Sequence, residues 1–180
     1  MTGNMTGKIL VGIIALSAVL FGGGVYYFQI YGFYDEIDPA SPAAEIRLTP
    51  PGGVAEAIPV SGFRGIDANS SPIRYRSCFT AGQGQRELAE AYAAHPEPVP
   101  LTAPGWFDCF DARQIGADIE AGRAVALMGE ENITYGVDRV VAIYPDGRGY
   151  AWQQLNRCGE RVFAGDPPPQ GCPPPPGRTE

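Results

Sequence analysis

Beyond Lys8 this sequence has no lysine, and along its whole length it has one histidine, His95. No Gly-x-Ser-x-Gly, His-Glu-x-x-His, phosphate-binding loop or dinucleotide fingerprint occurs. There is no Cys-x-x-Cys, and His95 is far in sequence from all four cysteines. Neither a zinc site nor a thiol redox pair is therefore expected, and no cofactor is implied. Basic residues are scarce overall. All 20 acidic residues and 12 of the 13 basic ones follow Tyr34, so that part carries 12 − 20 = −8. Such a balance argues against nucleic acid as a partner and against docking on anionic lipid. Arginine without lysine reads as the composition of a GC-rich bacterium and carries no functional argument.

The most informative absence is charge between Ile9 and Tyr34, where only Ser17 and Gln29 interrupt an apolar run. Ile9 to Ile30 is 22 residues, or about 33 Å of helix, enough to cross a hydrocarbon core of about 30 Å. A cleaved signal peptide has a shorter apolar region, ending in a small-x-small site. Here the run continues past Val19 through Phe21, Val25, Tyr26, Tyr27 and Phe28, with no Ala-x-Ala where cleavage would fall. A buried helix of a soluble domain would need more chain around it than follows. The expected layout is a cytoplasmic tail (1–8), a transmembrane helix (9–34), a linker (35–44), a periplasmic α+β domain (45–166) and a Pro-rich C-terminal tail (167–180). Lys8 precedes the span, and Asp35, Glu36 and Asp38 follow it. The positive-inside rule then keeps the amino terminus in the cytoplasm, and Tyr26 to Tyr34 supply an interfacial aromatic belt. Gly22–Gly24 permit close approach of a second membrane helix. The localisation implied is the bacterial inner membrane, single-pass.

Cys78, Cys109, Cys158 and Cys172 all lie beyond the span. An even number on the outer side of a membrane reads as two disulfides. Of three pairings, Cys158–Cys172 and Cys78–Cys109 are favoured: the first closes a loop around Pro167–Pro169, and the second ties a strand to the aromatic segment Trp106–Phe110.

Periodicity then orders the domain. Glu45–Thr49 and Ala55–Val60 flank Pro50-Pro51-Gly52-Gly53 as a hairpin. Ser61–Pro72 reads as a loop. Ile73–Thr80 alternates as a strand, with Arg74 and Arg76 side by side on one face. Gln83–Ala94 and Ala112–Ala121 read as helices, the second capped by Asp111 or Asp108. Ala124–Met128 is a short strand and Gly129–Asn132 a turn. Val137–Tyr144 and Gly149–Leu155 flank Pro145-Asp146-Gly147-Arg148 as the clearest hairpin in the chain. Asn156–Phe163 either continues the sheet or leaves it. The fold class is α+β: one small domain after the transmembrane helix, with a mainly antiparallel sheet, two helices and two disulfides.

Candidate sites are few. Arg74, Arg76, Trp106, Phe107 and Asp108 form a candidate surface for a ligand or partner. The plainer readings are cross-strand ion pairs for the arginines and a core plug for the aromatic segment. Asp108 and Asp111 with Arg74 are the alternative, an anchored hydrolase or small-ligand binder, although both aspartates serve equally as caps. Glu130, Glu131 and Asp138 could hold a cation but read first as a solvated turn. His95, before Pro96, reads as a surface residue.

Gly7-Lys8-Ile9-Leu10, Tyr31-Gly32-Phe33-Tyr34, Ser70-Ser71-Pro72-Ile73-Arg74, Ala103–Phe110 and Asn156-Arg157-Cys158-Gly159 together resemble an uncharacterised family of single-span proteins from alphaproteobacteria. The resemblance spans nearly the whole chain. It implies an anchor and a bacterial setting, and no catalytic residue. The expected function is a non-enzymatic binding or complex-stabilising module, whose partners are the membrane and another membrane protein.

Overall fold

The computed structural model describes residues 3–177; the ends of the two expected tails, 1–2 and 178–180, lie outside them. The chain divides into two units, Met1–Tyr34 and Asp35–Glu180. The first is helix α1 (Gly3–Tyr27), which runs into one wider turn at Phe28–Gly32. The span Gly7–Gly32 is 26 residues long, about 39 Å of rise, and its most apolar 18-residue window has a mean hydropathy of 2.2. From Ile9 to Phe21 every large apolar side chain is exposed. The helix is thus long and apolar enough to cross a membrane.

The second unit is built on six antiparallel strands in the order β1-β4-β5-β8-β7-β6. These are β1 (Asp35–Glu36), β4 (Val60–Asp67), β5 (Arg76–Ala81), β6 (Val125–Thr134), β7 (Val137–Ile143) and β8 (Arg148–Leu155). A separate pair, β2 (Arg47–Leu48) and β3 (Glu56–Ala57), forms the expected hairpin across Pro50–Gly53. Helices α2 (Gln85–Ala91), α3 (Ala112–Glu120) and α4 (Arg157–Phe163) complete the unit. The α+β class, the antiparallel sheet and both disulfides, Cys78–Cys109 and Cys158–Cys172, are as expected. A third domain helix is added where Asn156–Phe163 leaves the sheet.

Both faces of the sheet are covered, so every residue of β7 is buried. Alternation along the strands assigns the sides. Tyr75, Phe79, Leu127, Val141, Ile143 and Ala151 pack with Ile46, Leu48, Ile58 and Leu88 in the main core. Trp152, Val140 and Arg76 lie in register on the opposite face. There Phe110 meets Tyr150 and Trp152 edge-on, at 6.0 and 6.3 Å between ring centroids.

Four stretches differ from expectation. The linker 35–44 is partly sheet: Asp35 and Glu36 pair with Asp67 and Ile66, and Pro42–Ala44 form a 3-10 turn. The loop 61–72 instead contains most of β4, bent by a register shift between Ser61 and Arg64, with Gly62 at φ 62°. The turn at 129–132 is strand, and the reversal falls after Thr134, with Gly136 at φ 76°. Helix α2 stops at Ala91 because the following chain is recruited by β6: Met128 N–H donates to Ala93 O (2.7 Å) and His95 N–H to Ala126 O (3.0 Å). The extended backbone that Pro96 imposes on His95 favours that pairing.

Arg76 does not stand beside Arg74 at the surface. It is 4% exposed, and its guanidinium holds down the irregular segment that crosses this face. Nε donates to Leu101 O (2.6 Å), Nη1 to Ile73 O (2.9 Å) and Tyr75 O (2.7 Å), and Nη2 to Thr102 O (3.3 Å). All four of these contacts are to backbone carbonyls. A lysine cannot reproduce the fork, so Arg76→Lys should cost about 2 kcal/mol, read as a lower urea midpoint for the full chain in detergent.

Candidate functional site

The aromatic segment and its aspartates come first. Phe107 and Phe110 are buried, whereas Asp108 is exposed and pairs with Arg64 at 3.0 Å. The disulfide explains that pairing, because Arg64 lies opposite Cys78 in the sheet and Asp108 precedes Cys109. The Arg64 guanidinium also lies 5.7 Å from the Phe107 ring centroid. Trp106 is half-buried, edge-on to Phe107. Asp111 caps α3, accepting from Gln114 N–H at 3.0 Å. Asp108 and Asp111 border one shallow depression together with Phe107, Phe110 and Arg113; Trp106, Arg74 and Arg76 are not among its lining residues. Of the five residues named as a ligand or partner surface, Phe107 and Asp108 line this depression, and Arg76 is buried. The hydrolase constellation lacks its arginine there.

A different site emerges around His95, which is buried rather than at the surface. The edge pairing of residues 93–95 with β6 carries its ring to Asp138 on β7, with Nε2 3.7 Å from Oδ2. His95 Nδ1 accepts from Glu97 N–H at 3.3 Å. Asp138 Oδ1 accepts from Asn132 N–H (2.8 Å) and from Asn156 Nδ2 (2.7 Å). Asn156 is also the N-cap of α4, accepting from Cys158 and Gly159 N–H. Asn132, at φ 50°, accepts from Gly136 N–H and Asn156 Nδ2; asparagine is among the few residues that tolerate that conformation. Burial pushes the Asp138 carboxyl up. The interactions with His95, the Asn132 amide and Asn156 outweigh it and hold the group below its ordinary value. On β8, Gln154 Oε1 accepts from Trp152 Nε1 and Val99 N–H, and its amide donates to Glu97 O.

These groups floor a cleft of about 220 Å³. Val99, Met128 and Leu155 give it apolar walls, and Glu131, Arg157 and Glu160 stand on its rim. Gly171 and Pro173 close one side, held there by the Cys158–Cys172 bond and by Tyr135 Oη donating to Pro173 O at 3.3 Å. The cation site imagined for Glu130, Glu131 and Asp138 does not assemble: Glu130 faces Arg47 at 3.7 Å, and Asp138 Oδ1 is taken up by Asn132 and Asn156. Among the described residues no three His, Cys, Asp or Glu side chains are placed to hold a metal ion. Sequence reasoning named Asp138 for the wrong chemistry and missed His95 and Asn156. Asn156, an N-cap residue type four residues ahead of Glu160, did carry a cap signal.

A model of a family of unknown function (DUF6446) matches residues 46–173. The chain belongs to that family. The match takes in the whole His95–Asp138 cleft and both disulfides of this DUF6446 member, and begins after its apolar helix. Neither the curated proteins nor the solved structures contain a match to it.

A second buried acid is structural. Asp118 accepts from Tyr144 Oη (2.7 Å), Gln114 Nε2 (2.9 Å) and Arg123 Nε (2.7 Å). These three donors, Tyr144 foremost, hold its carboxyl down to about 2, against an ordinary 3.8. Burial and the Asp118 partner push the Tyr144 phenol up. A carboxyl lowered in the folded state stabilises fully above its unfolded value. That stabilisation is lost as pH falls from about 3.8 towards 2. Urea midpoints measured against pH should drop across this window, and Asp118→Asn should flatten the drop while lowering the midpoint at neutral pH.

Proposed function

We propose that this protein is a non-enzymatic binding module, tethered to the bacterial inner membrane by a single signal-anchor helix. Its amino terminus lies in the cytoplasm and its domain in the periplasm, where it binds or steadies another membrane protein. The observation that carries this reading is the charge-free run from Ile9 to Tyr34, whose large apolar side chains are exposed from Ile9 to Phe21. Lys8 before it, and no basic residue after it until Arg47, support the orientation. Two disulfides with no free cysteine suit an oxidising compartment. A binding role is favoured over catalysis because the His95 ring has its acceptor nitrogen engaged by Glu97 N–H and its other nitrogen turned to Asp138. The cleft lining contains no serine, threonine or free thiol to act as a nucleophile.

Alkaline extraction of membranes should leave the chain in the pellet, uncleaved, and non-reducing mass mapping should find no alkylatable thiol. A full-length chain that is soluble without detergent, or one with four free cysteines, would remove the tether and the compartment. Capture of the tagged chain in mild detergent at native expression should bring down one membrane protein in constant ratio; the chain recovered alone would remove the complex-stabilising part.

A further inference from the structure

The floor of the cleft holds a donor and an acceptor that stop short of each other. Because His95 Nδ1 accepts from Glu97 N–H, Nε2 is the donor nitrogen of the ring. Nε2 lies 3.7 Å from Asp138 Oδ2, beyond hydrogen-bond reach. The hydrogen bonds of Asp138 from Asn132 and Asn156 both fall on its other oxygen. The two side chains are only 4% and 6% exposed, and both line the cavity. Buried polar groups are seldom left unsatisfied, so this pair calls for a guest that accepts at Nε2–H and donates to Oδ2.

We propose that the cleft binds a small polyhydroxy compound, a sugar or a polyol, with one hydroxyl on His95 Nε2–H and the same or the adjacent hydroxyl donating to Asp138 Oδ2. A hydroxyl is both donor and acceptor. An ammonium has donors only and would confront Nε2–H; a carboxylate has acceptors only and would confront Oδ2. Glu131, Glu160 and Arg157 on the rim offer partners for further hydroxyls, and the apolar walls suit the carbon skeleton. The inference rests on the binding reading in treating the cleft as non-catalytic. It is independent of the tether, which membrane extraction tests separately.

The chain has a single histidine, so long-range nitrogen–proton spectra of the ¹⁵N-labelled full chain in detergent micelles report on His95 alone. Glucose and glycerol are titrated in separate arms, with putrescine and acetate as controls. The expected result is a saturable shift of the His95 Nε2 signal with glucose, with glycerol or with both; glucose alone identifies a sugar site, and glycerol a general polyol site. Val99→Trp places a large ring on an exposed wall residue and should abolish the shift while leaving the rest of the spectrum intact. If that variant fails to fold, Glu160→Trp on the exposed rim serves the same purpose. No saturable shift with either hydroxyl compound means that the gap holds water only, and overturns the proposal. So does stronger binding of putrescine or acetate, or a shift that persists in a folded mouth-blocking variant.

Discussion

Replacing Gly159 by alanine should remove about 3 kcal/mol of stability, the upper range for forcing atoms into a packed interior. A methyl there would lie 2.1 Å from Gly136 O and 2.8 Å from Gly136 C. Neither contact is to a flexible side chain, so α4 would have to lift off the β6–β7 turn. The reverse substitution is worse placed: at Gly136 a methyl would sit 2.4 Å from Gly159 Cα, and the residue already holds φ 76°. Gly165 supplies the control. It has φ 91° but nothing within 4 Å of an added methyl, so Gly165→Ala should cost only the conformational part, about 1 kcal/mol. Urea unfolding in detergent can follow the fluorescence of the buried Trp152, in a Trp106→Phe background used for all variants because the chain has two tryptophans. A Gly159→Ala midpoint equal to that of Gly165→Ala would show that α4 and the turn are not tightly apposed. Because Asn156 caps α4 and anchors Asp138, displacing this helix should also disturb the His95 signal.

Cys78→Ser with Cys109→Ser should be about as costly. The bond spans 31 residues, and the chain-entropy relation for a loop of that length gives about 4 kcal/mol. The bond also fixes the segment that lays Phe107 and Phe110 over the Trp152 face, so its loss should raise the exposure of Trp152 to quenchers before global unfolding. Cys158→Ser with Cys172→Ser, spanning 14 residues, should cost about 3 kcal/mol and leave Trp152 quenching unchanged. Equal quenching in the two double variants would refute the assignment of the first bond to the aromatic plug.

Where local chemistry decided the structure, the sequence was readable. The charge-free run, the Pro145–Arg148 reversal, the Asp111 cap and both cysteine pairings each depend on residues near one another in the chain or on compartment logic. The misreadings share a cause: partners far away in sequence. Strand β4 contains Gly62 and Gly65 and looks like loop, but β5 supplies its hydrogen bonds and overrides weak propensity. His95 has a surface residue's local context, next to a proline after a helix. Its burial depends on β6, some 30 residues later, having an open edge for residues 93–95 to fill. Arg76 faces away from the main core as the alternation implies, but that side is roofed by the chain around Leu101 and Thr102, distant in sequence. The candidate site was consequently almost illegible: it is assembled from an edge pairing, a positive-φ asparagine within β6 and a helix cap that come together only in three dimensions.

The edge pairing has a consequence for crowding. One margin of the sheet is closed by residues 93–95 and by Thr49 N–H donating to Met128 O. The other ends in the two acidic residues Asp35 and Glu36 beside the kinked β4. Short, charged and bent borders disfavour strand addition from a neighbouring molecule. Copies held at high local concentration should therefore stay separate through their domains, with no seeding of fibrils.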